Sequence, residues 1–311
     1  MPEILILTPL YTPTLAVLER EFVVHNLWES PDPDAFLETV AAKVRGVVTT
    51  GLVGCGRRVI DVLPKLEIIA CFGEGDDMLD LAAAKKRGIV VTNTRNSIIE
   101  TVADLALGLL LATMRRIAQS DRFVRAGKWP AGTPALGSGV TGRTCGIVGL
   151  GKVGVALARR VTACGMQVCY HGPREKIDSG YPYYADLEAL ARVSDCLVVS
   201  CPSTPATQQL IDARILRALG VEGFLINVAR GAIVDEHALI AALRDGLIAG
   251  AGLDVFWDEP QVPVELMKLE QVVLAPHIGS YTREIREERG ALLLASMRAH
   301  FSGKPVPMRL A

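Results

Sequence analysis

The chain has 311 residues, half of them hydrophobic, and a formal net charge of -1 at pH 7. That length suits about two domains, and a near-neutral balance with no Lys/Arg block excludes a basic nucleic-acid binder or an anionic-membrane partner. Seven cysteines with no CxxC pair predict reduced thiols in a cytoplasmic protein, with neither a disulfide framework nor a metal site.

In chain order, Met1-Pro2-Glu3 lacks the charged and apolar regions of a signal peptide. Residues 4–8 (ILILT) predict a strand, 14–21 a helix, 22–27 a strand, 35–44 a helix and 46–50 a strand. A short helix at 59–63 stops at Pro64. Strand 66–71 runs into the turn Gly73-Glu74-Gly75, followed by helix 79–87 and strand 89–93. This alternation predicts a small doubly wound unit, a parallel sheet covered on both faces. Residues 100–117 predict one long helix, apolar on nearly every side, whose longest apolar run, around Leu105 to Met114 and preceded by Asp104, is too short to span a bilayer. A helix apolar all round must be buried all round, which predicts a domain connector that also forms part of a subunit interface, or else a helix in the core of one domain. Residues 126–140, rich in Gly, Pro, Thr and Ser, predict an excursion.

The stretch TCGIVGLGKVG at 144–154 organises the rest. A short apolar strand meets Gly149, Gly151 and Gly154, spaced G-x-G-x-x-G, and a helix follows. Strand, tight turn and helix N-terminus in that order present backbone N–H groups and a positive dipole end to a pyrophosphate. Gly149 permits the turn, Gly151 lets phosphates approach, and Gly154 lets the helix sit close to the strand. A second alternating series begins here. Its strands are predicted at 145–148, 167–170, 196–200, 224–227, 249–253 and 272–274, and its helices near 152–164, 186–193, 212–219 and 236–245. The helical pattern at 283–301 predicts a return over the first unit. The expected class is α/β with two doubly wound parallel sheets. The expected domains are residues 1–98 with 285–311, binding substrate, and residues 99–284, binding the dinucleotide.

Three segments fall where strands of the second series end. Asn227-Val228-Ala229-Arg230-Gly231 offers a guanidinium suited to holding a carboxylate in two parallel hydrogen bonds. Asp254 to Pro260 offers acids, and Pro276-His277-Ile278-Gly279 offers an imidazole. Redox chemistry on a carbonyl needs a hydride donor, a proton donor and a substrate clamp. A dinucleotide supplies the first, His277 can supply the second, and Arg230 the third. A carboxylate beside His277 favours the protonated imidazole and fixes its tautomer, and Glu259 is the candidate. The strand at 167–170 runs into His171-Gly172-Pro173-Arg174, with no acid at its end to hold a ribose 2′-hydroxyl. Arg174 could meet a 2′-phosphate there, so NADP is favoured. NAD stays open through Glu175, should the loop shift.

Through GLGKVG, NVARGAIVDE, GLDVFWDEP and PHIGS, in that order and spacing, the sequence resembles the D-isomer-specific 2-hydroxyacid dehydrogenase family over almost its whole length. LLLATMRRI, DRFVRAGKW and VPVEL bring it nearest to the glyoxylate/hydroxypyruvate and hydroxyphenylpyruvate reductases. The resemblance implies a Rossmann-type nucleotide domain, a smaller flavodoxin-like substrate domain, and NADPH-dependent reduction of a small 2-oxo acid to the D-2-hydroxy acid. It implies a homodimer with helix 100–117 at the interface. It gives Arg230 the substrate's carboxylate and carbonyl, His277 the acid/base role and Glu259 the partner role. The backbone amides of Gly73, Glu74 and Gly75 would bind the substrate carboxylate, and Asp254 the nicotinamide carboxamide. The same correspondence assigns Gly149, Gly151, Lys152, Val153, Gly154, His171, Pro173, Arg174, Cys201, Pro202, Thr207, Val228, Ala229 and Gly279 to the dinucleotide.

The sequence departs from its relatives at Glu74, where they carry an apolar or small residue. A carboxylate there repels a bound carboxylate. Either Glu74 turns to solvent or pairs with a base such as Arg95, or it recognises a polar or cationic substrate group. Two other readings stay open at this point. A phosphoglycerate-type dehydrogenase is weakened by the acids at 74, 76 and 77. A nucleotide-sensing binding protein without turnover would share the fold, and fold alone does not separate the two.

Overall fold

The computed structural model describes residues 1–73, 75, 78–94 and 98–310. In chain order its elements begin with β1 (Glu3–Ile6), α1 (Thr12–Glu21), β2 (Val23–Asn26), α2 (Pro33–Val40) and β3 (Val44–Thr50). Next come α3 (Arg57–Val62), β4 (Ile68–Phe72), α4 (Leu81–Lys86), β5 (Val90–Thr92), α5 (Ile99–Met114) and α6 (Ile117–Arg125). Then follow β6 (Thr144–Val148), α7 (Lys152–Ala163), β7 (Gln167–His171), α8 (Leu187–Val193), β8 (Cys196–Val199), α9 (Ala213–Leu219) and β9 (Phe224–Asn227). The chain closes with α10 (Glu236–Arg244), β10 (Gly250–Leu253), α11 (Val264–Lys268), β11 (Val272–Leu274) and α12 (Arg283–Phe301). Two compact units result, Met1–Ile98 with Thr282–Ala311, and Ile99–Tyr281.

In the first unit five parallel strands lie in the order β2-β1-β3-β4-β5. Side chains along a strand alternate between faces, and the two cores divide accordingly. Ile4, Ile6, Val48, Ile68, Ala70 and Phe72 face Leu18 of α1 and Leu293, Leu294 and Met297 of α12. Leu5, Val47, Ile69, Cys71 and Val91 face Leu37, Ile60 and Ala84 on α2 to α4. Apolar residues at both parities explain why these strands read as continuous apolar runs. Each buried Ile or Leu stabilises by about 1.5–3 kcal/mol.

In the second unit six parallel strands lie in the order β11-β10-β9-β8-β6-β7. A single parallel bridge, Tyr170 to Tyr183, adds a one-residue strand beyond β7. With it the strands through β10 follow the 3-2-1-4-5-6 winding of dinucleotide-binding domains, β11 adding a seventh at the far edge, and ligands of such domains bind where the order reverses. That reversal lies at β6, the strand feeding Gly149.

The expected helix 100–117 is shorter. α5 ends at Met114, because Arg116 takes a left-handed conformation (φ 53°) and Ser138 N–H donates to Met114 O at 2.7 Å. A separate helix, α6, follows. Nor is α5 buried all round within the chain. Val102, Ala106, Leu109 and Leu110 are buried, whereas Leu105, Leu107 and Leu111 are half-buried and Gly108 is exposed. Close packing of α5 on β10 depends on Gly252, where a Cβ would lie 2.7 Å from Thr113 Oγ1.

Candidate active site

Adjacent parallel strands bring the three segments together. Asn227, Leu253 and Leu274 end β9, β10 and β11, with Asn227 paired to Leu253 and Leu253 to Leu274. Beyond these ends the ladder continues. Asp254 N–H donates to Asn227 O at 3.0 Å, and His277 N–H to Asp254 O at 2.9 Å. The Asn227 side chain ties the Arg230 turn at both ends, accepting from Ala229 N–H at 3.0 Å and donating to Arg230 O at 3.0 Å. Arg230 itself is exposed, and its Nη1 donates to Ala229 O at 2.7 Å.

His277 Nδ1 lies 2.6 Å from Glu259 Oε2, with side chains 28% and 22% exposed. The other carboxylate oxygen accepts from Phe256 N–H at 3.0 Å. Burial alone would push the Glu259 carboxyl up. The hydrogen bonds from His277 and Phe256 and the charges of His277 and Arg230 outweigh it, so Glu259 is held below the usual glutamate range. An ionised carboxylate only accepts, so the proton of this bond sits on Nδ1 of His277 and Nε2 remains for exchange with a ligand. Arg230 and the Glu259–His277 pair thus follow the C-terminal ends of neighbouring strands.

The lowered Glu259 value has a consequence for acid stability. A carboxyl whose folded pKa lies below its unfolded value stabilises the fold above the unfolded value, about 4.3. That stabilisation is lost as pH falls through the folded value. Glu259→Gln is therefore expected to lose less of its thermal midpoint than the parent between about pH 5 and about pH 3.5. Equal losses in differential scanning calorimetry would detach Glu259 from acid lability.

Asp254 is 2% exposed, and its carboxylate accepts from Ile278 N–H at 2.7 Å and Gly279 N–H at 2.9 Å. Burial pushes this carboxyl up, against those two hydrogen bonds. The structure thus makes Asp254 the clamp of the loop that carries His277, whose backbone is left-handed (φ 53°). Such a backbone costs a non-glycine residue about 1–2 kcal/mol, and the clamp holds it.

The remaining dinucleotide candidates sit at C-terminal strand ends of this unit. Gly149, with φ 98°, could not carry a Cβ without bringing it 2.6 Å from Cys201 Cα. At Gly154 a Cβ would lie 2.4 Å from Gly149 O, whereas a Cβ at Gly151 would meet nothing within 4 Å. A tight turn with open space at its middle glycine, capping the twelve-residue α7, fits a pyrophosphate. Lys152 and Val153 open that helix. Cys201 and Pro202 follow β8, where burial pushes the Cys201 thiol up to about 11, leaving it protonated and unreactive. Thr207 Oγ1 closes the same loop by donating to Pro202 O at 2.8 Å. His171, Pro173 and Arg174 end and follow β7, Val228 and Ala229 follow β9, and Gly279 follows His277.

In the first unit the expected substrate-binding turn follows β4. Gly73 N–H donates to Cys71 O at 3.1 Å and Gly73 O accepts from Thr94 N–H at 2.9 Å. The Gly73 amide is thus engaged inside the turn. Gly75 packs on Gly51, where a Cβ would lie 3.1 Å from Gly75 O. Glu74 and Arg95 lie outside the described residues. Among the described residues no group of three His, Cys, Asp or Glu could hold a metal, and no helix is long and apolar enough to cross a membrane. None of the seven cysteines, all among the described residues, forms a disulfide.

Sequence reasoning missed Asn227 and Gly231. Asn227 ends an apolar strand and gives no sign of its two backbone contacts. At Gly231 a Cβ would lie 1.9 Å from Phe256 O, an approach of segments 25 residues apart (256 minus 231).

Residues 107–279 match the family described as D-isomer specific 2-hydroxyacid dehydrogenase, NAD binding domain. The chain is 45% identical to glyoxylate/hydroxypyruvate reductase A of Arabidopsis thaliana over 287 residues, 92% of either chain. It is 42% identical to hydroxyphenylpyruvate reductase of Plectranthus scutellarioides, covering 97% of each. Among solved structures, the NADPH-dependent glyoxylate/hydroxypyruvate reductase of Sinorhizobium meliloti with NADP and malonate superposes with a TM-score of 0.87 at 36% identity, covering 100% of this chain and 97% of that one.

Proposed function

The chain belongs to the D-isomer specific 2-hydroxyacid dehydrogenase family, and from that premise we propose that it reduces a small 2-oxo acid, glyoxylate- or hydroxypyruvate-like, to the D-2-hydroxy acid with NADPH. The chain is an oxidoreductase. The Gly149–Gly154 turn would hold a nicotinamide dinucleotide, which when bound would supply the hydride for the carbonyl carbon and be oxidised in exchange. His277 holds a proton at Nε2 and gives it to the carbonyl oxygen, so one N–H bond breaks as one O–H bond forms. Glu259 stays ionised and stabilises the imidazolium before the transfer. Arg230 pairs with the substrate carboxylate and polarises the carbonyl. The observation that carries this reading is the 2.6 Å Glu259–His277 pair within reach of the Arg230 charge.

NADPH is preferred because Arg174 follows β7 where a ribose-binding acid would stand, and because the Sinorhizobium meliloti relative is an NADPH-dependent reductase. The test is absorbance of NADPH on adding glyoxylate, hydroxypyruvate and larger 2-oxo acids. Consumption is expected with the first two and slower with NADH. Stable absorbance across the panel would overturn the assignment. The working form is a homodimer in the cytoplasm. Half-buried Leu105, Leu107 and Leu111 on α5, with Trp129 65% and Leu136 94% exposed, support an apolar surface covered by a second copy. A one-chain mass by light scattering would remove the dimer.

A further inference from the structure

We infer that Tyr183 and Lys176 are positioning residues for cofactor choice, pinning the loop that carries Arg174 beside the fingerprint turn. The inference rests on the NADPH preference proposed above. The loop spans Gly172 to Lys176, and both of its ends are tied. At its start, Tyr183 OH donates to Gly172 O at 3.0 Å. At its end, Lys176 N–H donates to Tyr170 OH at 2.6 Å, and Lys176 Nζ donates to Leu150 O inside the Gly149–Gly151 turn. The anchors are themselves rigid. Tyr170 is 1% exposed, its ring centroid lies 5.3 Å from that of Tyr183, and its backbone bonds Pro182 O at 3.0 Å and Tyr184 N–H at 2.8 Å.

Between the pins Pro173, Arg174 and Glu175 are all exposed. Arg174 and Glu175 are adjacent and opposite in charge. A one-residue slip of the loop would exchange a guanidinium suited to a phosphate dianion for a carboxylate that repels it and accepts from a ribose hydroxyl instead. Holding the loop in register therefore decides which nucleotide is recognised. Ordering the loop during folding also spares that entropy loss on binding. The one-residue strand at Tyr183 accounts for its own place in the fold: it extends the sheet just far enough to bring a phenol to Gly172.

Isothermal titration of the full chain with NADP+ and with NAD+ tests this without turnover. The parent is expected to bind NADP+ more tightly, and Arg174→Ala to erase the difference. Tyr183→Phe, which changes no charge, and Lys176→Met should each lower the NADP+/NAD+ affinity ratio about 5- to 10-fold, the scale of one lost hydrogen bond. The loss should fall on NADP+, with NAD+ affinity and the thermal midpoint held, and Lys176→Arg should restore most of it. An unchanged ratio in Tyr183→Phe and Lys176→Met, with Arg174→Ala still defective, overturns the pinning alone. Equal weakening toward both nucleotides also overturns it, in favour of a general structural role. A parent without preference, or an Arg174→Ala variant that keeps it, overturns the underlying reading instead.

Discussion

His277→Ala is expected to lower kcat by about two to four powers of ten, with NADP+ affinity nearly unchanged. The structure separates chemistry from fold at this position. The loop is held by backbone groups, His277 N–H on Asp254 O and the Ile278 and Gly279 amides on the Asp254 carboxylate. Alanine leaves all three in place, and it suffers in the left-handed conformation about as much as histidine does. What disappears is the imidazole bonded to Glu259 at 2.6 Å, and with it the proposed proton donor. Steady-state turnover at saturating NADPH and oxo acid measures the effect. Parent-like kcat would dismiss His277 as the acid/base, whatever its geometry.

Gly231→Ala is expected to harm both fold and activity. A Cβ would lie 1.9 Å from Phe256 O, 2.0 Å from Phe256 C and 2.5 Å from Trp257 N. These are backbone atoms, so no side-chain rotation relieves the clash. Either the Arg230 segment or the turn from Phe256 to Glu259 must move. Overpacking of this kind costs about 1–3 kcal/mol or more, and a displacement of about 1 Å near the chemistry costs about 100-fold in rate. The expected result is a lowered thermal midpoint together with kcat/KM down by about two powers of ten. Parent values for both would show that the two segments tolerate separation and that their close approach has no part in the site.

Local pattern carried much of the architecture. Alternating apolar runs and glycine-bounded turns located the strands of the second unit to within a residue or so, because a parallel strand buried on both faces has little choice of composition. Gly149, Gly151 and Gly154 were legible as a turn between strand and helix because their spacing lies along one short stretch of chain. Arg230, Glu259 and His277 stood out because each follows a strand that the pattern had already located. Local pattern did not reveal where α5 stops. Met114 O is taken by Ser138, 24 residues later (138 minus 114), and no helical periodicity contains that contact.

Family likeness assigned Asp254 to the nicotinamide carboxamide, and the fold adds two amides of the His277 loop as partners of its carboxylate. Gly73, one of three residues expected to offer amides to substrate, also places its N–H on Cys71 O. Composition and periodicity determined that this chain would form two doubly wound sheets with a dinucleotide turn at the head of the second. Tertiary structure alone decided which polar groups remain for a ligand. A hydrogen-bonding group is consumed by whichever partner the folded chain brings within about 3 Å, and that partner is usually remote in sequence.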